Sequence, residues 1–208
     1  VTDPKYEKST RLNKNITNDA KNEENSRLVS FQSRADGVSF DRYYHFFTKE
    51  EFSDFIYRFD FQLTPGANNG IGVHAPLEGD AAYVGIEIQV LDNEADKYKN
   101  LQPYQYHGSV YGVIPAKRGF LKPTGEWNQE EIIVKGTQVK VTLNGTVILE
   151  GDYAAASKNG TMDHKEHPGL LRTTGHLGFL GHGDVLRFKN MRVKILEENK
   201  KTKKKLKK

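Results

Sequence analysis

The sequence predicts an all-β protein, built as an antiparallel sandwich of two sheets. Short segments in which apolar and polar residues alternate recur from residue 27 onward, with turn residues between them. Helical periodicity is weak, and single helical turns are expected only over 49–55 and 153–158. Many short strands joined by turns are typical of an antiparallel sandwich.

The first strands follow directly from this alternation. Residues 27–32 alternate, and residues 40–47 are rich in aromatic side chains. The clearest strand is predicted over 52–63, with four aromatic residues on one face: Phe55, Tyr57, Phe59 and Phe61. Residues 64–70 include Pro, Gly and Asn, which tolerate turn dihedrals, so we expect a turn there.

The later strands are shorter and are separated by clear turn signals. We expect them over 71–75, 83–92, 109–114, 130–135, 138–143, 146–150, 175–180 and 185–195. Asn144-Gly145 is a strong two-residue hairpin signal between two of these strands. No repeat and no break in composition marks a second domain. The sequence therefore predicts a polar arm over 1–26, one sandwich domain over 27–198 and a basic tail over 199–208.

Charge and composition exclude several classes of function. Of the 31 Lys and Arg residues, seven lie in the tail, and the remaining 24 stand against 27 acidic residues, so the body is mildly acidic. The tail has no interleaved aromatic residues to stack on bases, so we expect a solvated end rather than a nucleic-acid-binding segment. No apolar run approaches the roughly 18 residues of a membrane span. Cysteine is absent, which excludes disulfides, thiolate metal sites and cysteine nucleophiles.

The strand predicted over 83–92 has two faces of opposite character. Three aliphatic residues point to one face, whereas Glu87 and Gln89 point to the other. A carboxyl group beside a carboxamide, within an apolar run, indicates a polar groove on the second face rather than bulk solvent. Asp92 is expected to lie in the turn after the strand, because a regular strand would point Glu87 and Asp92 to opposite faces.

Three histidines are candidates for the same groove. His74 is expected to face away from the core because Val73 and Ala75 are expected to pack inward, and alternation likewise leaves His176 facing outward. His182 lies in a glycine-rich turn after the second of these strands. A neutral imidazole near pH 7 can act as a base or a ligand. If these strands are neighbours, the histidines share one concave face with the Glu–Gln pair.

Two aromatic residues are further candidates for contact with a ligand. Tyr111 lies in the segment 109–114, whose register is ambiguous. Trp127, the only tryptophan, either stacks on a sugar or closes the end of the sheet, with the second role favoured. The spacing of the seven histidines indicates no metal site. His164 and His167 are expected to lie in a solvated loop.

Several segments resemble the 3-keto-disaccharide hydrolase family, in the same order and over about 52–195. They include Ala67-Asn68-Asn69-Gly70-Ile71, Glu87-Ile88-Gln89-Val90-Leu91-Asp92-Asn93, Gly108-Ser109-Val110-Tyr111-Gly112, Pro123-Thr124-Gly125-Glu126-Trp127-Asn128, Gly175-His176-Leu177-Gly178-Phe179 and His182-Gly183. The resemblance implies a concanavalin A-like jelly-roll fold. It also implies a carbohydrate-active protein, of a kind often exported in bacteria, that acts on glycosides oxidised at the sugar 3-position.

The chemistry that this resemblance implies begins with an acidic proton. A 3-keto group acidifies the C2 proton, so a base can remove it and expel the C1 substituent, after which water adds back. Such a site needs a base and a group that stabilises the enolate oxygen. The resemblance makes Glu87 the candidate base, and Gln89, His74 and His182 the candidates for polarising the ketone. A divalent metal is a further candidate, although no histidine spacing indicates one.

Three classes of function fit the sequence. The first is a hydrolase that cleaves glycosides, and the second is a non-catalytic carbohydrate-binding module, since one fold can serve both roles. The third is a structural or interaction domain that contacts its partner through the basic tail. We expect a carbohydrate ligand or substrate, no membrane span and no nucleic-acid partner. The resemblance implies a bacterial periplasmic or extracellular location, although the sequence has no recognisable signal peptide, and nothing in it indicates an oligomeric state.

Overall fold

The computed structural model describes residues 45–196, together with the backbone strands at 14–15, 26–31 and 38–40. Apart from these strands, the predicted polar arm over 1–26 lies outside the described residues, as does the basic tail over 199–208. None of the described helices is long and apolar enough to cross a membrane.

The described residues contain twelve strands, two one-turn α-helices and two 3-10 turns, at Asp96–Tyr98 and Pro103–Gln105. The strands are β1 (Lys14–Asn15), β2 (Ser26–Phe31), β3 (Val38–Phe40), β4 (His45–Phe52), β5 (Phe55–Leu63), β6 (Asn68–Ala75), β7 (Ile86–Leu91), β8 (Trp127–Lys135), β9 (Gln138–Leu143), β10 (Thr146–Asp152), β11 (Gly175–Leu180) and β12 (Leu186–Leu196). The helices are α1 (Ala81–Val84) and α2 (Tyr153–Ala156). The predicted all-β class is therefore confirmed.

The strands form two antiparallel sheets. The larger sheet has the order β1-β2-β12-β5-β8-β9-β10, with β3 also paired to β12, and the smaller has the order β4-β11-β6-β7. Asn144 and Gly145 both have positive φ, as a tight two-residue hairpin requires, and they join β9 to β10 as predicted. The two-sheet sandwich is thus confirmed.

The hydrophobic core lies between the two sheets. The aromatic face of β5 is fully buried, with Phe55, Phe59 and Phe61 at most 1% exposed. Ile71 of β6 and Ile88 of β7, on the smaller sheet, belong to the same buried cluster. Period-two alternation on both sheets places these side chains inside and leaves the opposite faces for other contacts.

Three segments differ from the sequence prediction. The strand expected over 83–92 begins only at Ile86, because the Asp80 side chain accepts a hydrogen bond from Ala82 N and starts α1. The segment 109–114 is a turn, which meets β7 through an isolated bridge between Ile88 and Val110. The helical turn expected over 49–55 is instead strand, with a bend at 53–54.

A buried carboxyl–imidazole pair ties the segment between β7 and β8 to the larger sheet. His107 Nε2 lies 2.9 Å from Glu130 Oε2, and both side chains are at most 1% exposed. Glu130 is on the inward face of β8, and the centroid of the His107 ring lies 5.1 Å from that of Phe61. A polar group in this position needs a partner, because the protein interior solvates it poorly.

Removing one partner of this pair should destabilise the protein strongly. We expect Glu130→Ala to lower the free energy of unfolding by about 1–3 kcal/mol, because it leaves the buried His107 ring nitrogen without the carboxyl group that it faces. Glu131, the next residue, pairs with Arg58 on the opposite, accessible face of the strand, so Glu131→Ala should cost about 1 kcal/mol or less. Urea denaturation of both variants measures the difference. Equal losses would contradict a structural role for the buried pair.

Candidate active site

A pocket of about 410 Å³ opens on the outer face of the smaller sheet. Four of the residues predicted from the sequence line it: Glu87, Gln89, Tyr111 and His182. Strand β7 supplies the first two, whose side chains point away from the core-facing Ile86, Ile88 and Val90. The pocket is thus the polar groove that the alternation of this strand indicates.

Gly70 makes the space that the Glu87 side chain occupies. It lies on β6, where it pairs with Gln89, and Glu87 pairs with Gly72. A Cβ atom at Gly70 would lie 1.9 Å from Glu87 Oε1. The carboxyl group therefore lies flat across the backbone of β6, in a place that only a glycine leaves open.

The Glu87 carboxyl is buried and poorly solvated. The residue is only 5% exposed, and its Oε1 has no hydrogen-bond partner within the described residues. Burial, with a smaller contribution from the charge of Asp80, raises the pKa of Glu87 from 4.5 to about 8. Once ionised, Glu87 is therefore a much stronger base than an ordinary carboxylate.

His182 faces Glu87 across the pocket. Its Nε2 lies 4.0 Å from Glu87 Oε1, on the more exposed side of the site. Burial and the neighbouring His45 lower the pKa of His182, against the opposing charges of Asp184 and Asp80. His182 is therefore neutral at pH 7, and a neutral imidazole can donate one hydrogen bond and accept another.

Amide oxygens add further polar groups to the floor of the pocket. Gln89 Oε1 and Asn68 Oδ1 are both buried, and neither has a hydrogen-bond partner among residues 45–196. Together with Glu87 Oε1, these oxygens give the pocket three buried acceptors that the described residues leave unbonded. Hydroxyl-rich ligands supply the donors that these oxygens lack.

Tyr111 is held against β7 by the main chain. Its N–H donates to Glu87 O at 3.0 Å, which resolves the ambiguous register of the segment. Its hydroxyl accepts a hydrogen bond from Gln105 Nε2 at 3.2 Å. Burial is the main cause that raises the pKa of Tyr111, so the phenol keeps its proton and can donate it in a hydrogen bond.

The prediction that His74 faces the groove is wrong, and a β-bulge is the reason. Val73 and His74 together oppose one residue of β11, where the register shifts, and His74 has a positive φ of 49°. The side chain turns into the protein, where its ring nitrogens bond to Ser53 O and Arg172 O, each at 2.8 Å. Ala75, expected inward, instead packs beside Leu180.

His176 and Trp127 also lie outside the pocket. His176 faces outward as expected, but near the other end of β11, where its Nδ1 bonds to Thr48 O at 2.7 Å. Trp127 lies on the outer face of the larger sheet, with Lys189 Nζ 3.8 Å from its ring centroid. Because β8 belongs to the larger sheet and turns Trp127 to the outer face of that sheet, this residue neither packs in the core nor lines the pocket, and a stacking role at another place stays a prediction.

Other lining residues carried no clear signal in the sequence. Asp80 and Tyr83 reach the pocket because α1 interrupts the expected strand, and His45 reaches it from the adjacent end of β4. Asp92 stays outside the pocket: its Oδ2 accepts a hydrogen bond from Gly66 N at 2.8 Å, as expected of a turn residue. Within residues 45–196, no group of three or more His, Asp or Glu side chains is placed to hold a metal ion.

Comparison with known proteins assigns this chain to a family. A 3-keto-disaccharide hydrolase from Bacteroides thetaiotaomicron is 32% identical over 175 residues, covering 71% of this chain and 60% of the relative. The chain thus spans about 60% of the length of this curated relative.

Solved structures agree with this assignment. A protein from Parabacteroides distasonis, named as a candidate glycosyl hydrolase, superposes with a TM-score of 0.71 at 28% identity and covers 80% of this chain and 90% of its own. A second such protein from the same organism has the same fold, with a TM-score of 0.64 at 24% identity, covering 82% and 81%. The family described as 3-keto-alpha-glucoside-1,2-lyase-like domain matches residues 8–194, and this chain belongs to it.

Proposed function

We propose that this protein is a carbohydrate-active enzyme that cleaves 3-keto-disaccharides by removing the C2 proton, with Glu87 as the base. The observation that carries the proposal is the Glu87 carboxyl, buried in a sugar-sized pocket with its pKa raised to about 8. The name of the Bacteroides thetaiotaomicron relative supports the choice of substrate. A bacterial periplasmic or extracellular location is part of the same proposal.

The reaction follows from the acidity that the ketone confers on C2. Glu87 takes the C2 proton, and the C–H electron pair passes into the C2–C3 bond to give an enolate. The enolate then restores the C3 ketone as the C1=C2 bond forms and the C1–O bond breaks. The departing oxygen takes a proton, which gives the free second sugar. Water then adds to C1, and C2 regains a proton, so the net change is hydrolysis. A carboxylate of ordinary pKa is a weak base for such a proton, and the raised pKa of Glu87 reduces the difference in pKa between the base and the C2–H group.

Neutral donors around Glu87 suit the charge that develops on the ketone oxygen. His182 is uncharged at pH 7, and Tyr111 keeps its proton, so either can donate a hydrogen bond to an enolate. The amide of Gln89 can bind a hydroxyl of the sugar. Most glycosidases use two carboxyl groups that flank the glycosidic bond. Glu87 and Asp92 do not form such a pair, because Asp92 lies outside the pocket, where its side chain bonds to Gly66 N.

Cleavage in heavy water tests the proposal directly. We expect the protein to cleave a 3-keto-disaccharide and to place deuterium at C2 of the product, because C2 loses and regains a proton. Glu87→Gln should lower kcat by roughly 10²–10⁴-fold, the usual contribution of a general base. Glu131→Gln, on the outer face of the larger sheet, is the matched control and should keep full activity.

The same assay separates the alternatives. Cleavage without deuterium at C2, or equal cleavage of the unoxidised disaccharide, would point to direct displacement at C1. Binding without cleavage would make the protein a carbohydrate-binding module. The product sugar, incubated without protein, corrects for spontaneous exchange.

The pH dependence of the reaction should report the pKa of Glu87. We expect kcat/KM to rise with pH and to level off above about 8, because only the ionised carboxyl can accept the proton. Initial rates at a subsaturating concentration of the 3-keto-disaccharide measure this profile. A profile that falls through this range would contradict the role of Glu87 as the base.

The raised pKa should also appear in the stability of the protein. Between 4.5 and about 8 the folded state holds a proton on Glu87 that the unfolded state has released, so stability falls as pH rises through this window. Glu87→Gln removes the titration. We expect it to stabilise the protein by a few kcal/mol above about pH 8 and to change little near pH 4.

Urea denaturation at both pH values measures this difference. Glu131→Gln again serves as the control, because its carboxylate is paired on the accessible face, and it should show no gain that grows with pH. If Glu87→Gln is as stable as wild type at both pH values, burial does not raise the pKa of the Glu87 carboxyl.

A further inference from the structure

One wall of the pocket carries a second group of polar side chains that the mechanism above does not use. Tyr83 lines the pocket from the end of α1, and its hydroxyl accepts a hydrogen bond from Lys165 Nζ at 2.9 Å. The ammonium of Lys165 also lies 5.1 Å from the Tyr83 ring centroid. Lys165 is exposed to solvent, and its ammonium is linked to the pocket by the hydrogen bond to the Tyr83 hydroxyl.

Tyr83 is close to the groups already placed at the site. Tyr83, Glu87 and Tyr111 line the same pocket, and the charges of Glu87 and Lys165 act on the pKa of Tyr111 in opposite directions. Two phenols, one of which is bonded to an ammonium, therefore line one pocket with Glu87 and His182. The oxygen of a bound ketone can meet donors from this wall while its C2 proton faces Glu87.

A buried pair holds this wall in place. His167 Nε2 is 3.1 Å from each carboxylate oxygen of Asp163, and both side chains are at most 4% exposed. The His167 ring packs 4.8 Å from that of Tyr83. Asp163 Oδ1 also accepts a hydrogen bond from Lys165 N at 3.1 Å. One carboxylate therefore positions both the backbone of Lys165 and the His167 ring that packs on Tyr83. Burial opposes ionisation of Asp163, but its hydrogen bonds outweigh that effect and lower its pKa.

Gly112 packs this pair against the turn that carries Tyr111. A Cβ atom at Gly112 would lie 2.6 Å from Asp163 Oδ2 and 2.9 Å from His167 Cε1. Asp163 N also donates to Gly112 O at 3.1 Å. The Asp163–His167 pair thus contacts the ring of Tyr83 on one side and the backbone next to Tyr111 on the other, and so links the two tyrosines.

We propose that Tyr83 contacts the substrate through its hydroxyl and stabilises the oxygen on which negative charge develops, while Lys165 acts through Tyr83 as a positioning residue. A phenol that accepts a hydrogen bond from an ammonium has its own O–H free to donate, and the charge makes it a stronger donor. Preorganised donors of this kind favour the transition state over the bound ketone. This inference rests on the function proposed above, and it adds two residues to the site.

Single and double variants test the inference. We expect Tyr83→Phe to lower kcat for the 3-keto-disaccharide by roughly 100-fold, as for the loss of one oxyanion donor, with KM changed much less. Lys165→Met should lower kcat about tenfold, whereas Lys165→Arg should keep most of the activity. The double variant should lose no more than Tyr83→Phe alone, because Lys165 acts through that hydroxyl. Lys158→Met, at another exposed lysine, is the matched control and should match wild type.

The outcomes separate this inference from the proposed function. If wild type is active and Tyr83→Phe or Lys165→Met matches it, or if the double loss is the product of the single losses, the inference is overturned and the function stands. If wild type does not cleave the 3-keto-disaccharide, whether or not it binds it, both proposals are overturned, because Tyr83 is assigned to a charge that then never develops.

Discussion

The burial of one carboxyl group organises the site. Glu87 lies on a central part of β7 with an oxygen that no described residue bonds, which is costly in a protein interior. Alternation along the strand directs the side chain to the outer face, where Gly70 on the neighbouring strand leaves space for it. The raised pKa is the result of that confinement, and it is what makes a carboxyl useful as a base. The proposed role of Glu87 and the stability of the protein are therefore opposed at this residue.

The two faces of the smaller sheet have separate tasks. Its inner face completes an apolar core with the aromatic side chains of β5, and its outer face carries the pocket. Between β7 and β8, a long segment returns along the free edge of β7, where Tyr111 N donates to Glu87 O. The buried pair of His107 and Glu130 anchors this segment to the larger sheet. One wall of the pocket thus depends on contacts made in the core.

Regular and irregular strands differ in how well alternation describes them. Strand β7 has six regular residues, so Glu87 and Gln89 could be placed on the polar face from the sequence. Strand β6 contains a bulge at His74, and one extra residue was enough to turn this imidazole into the protein. Such a bulge depends on the register with β11, a partner distant in the chain. Alternation within the segment therefore could not reveal it.

The sequence by itself determined the all-β class, most of the strands, and the family through the order of its short motifs. These features depend on local periodicity and turn residues, which each segment carries alone. Only the tertiary structure decided which side chains meet. It brought His182, Tyr111 and Tyr83 to Glu87, and it left Trp127 on the other sheet. Strand order is a property of long-range pairing, so residues far apart in the chain become neighbours for reasons that no single segment contains.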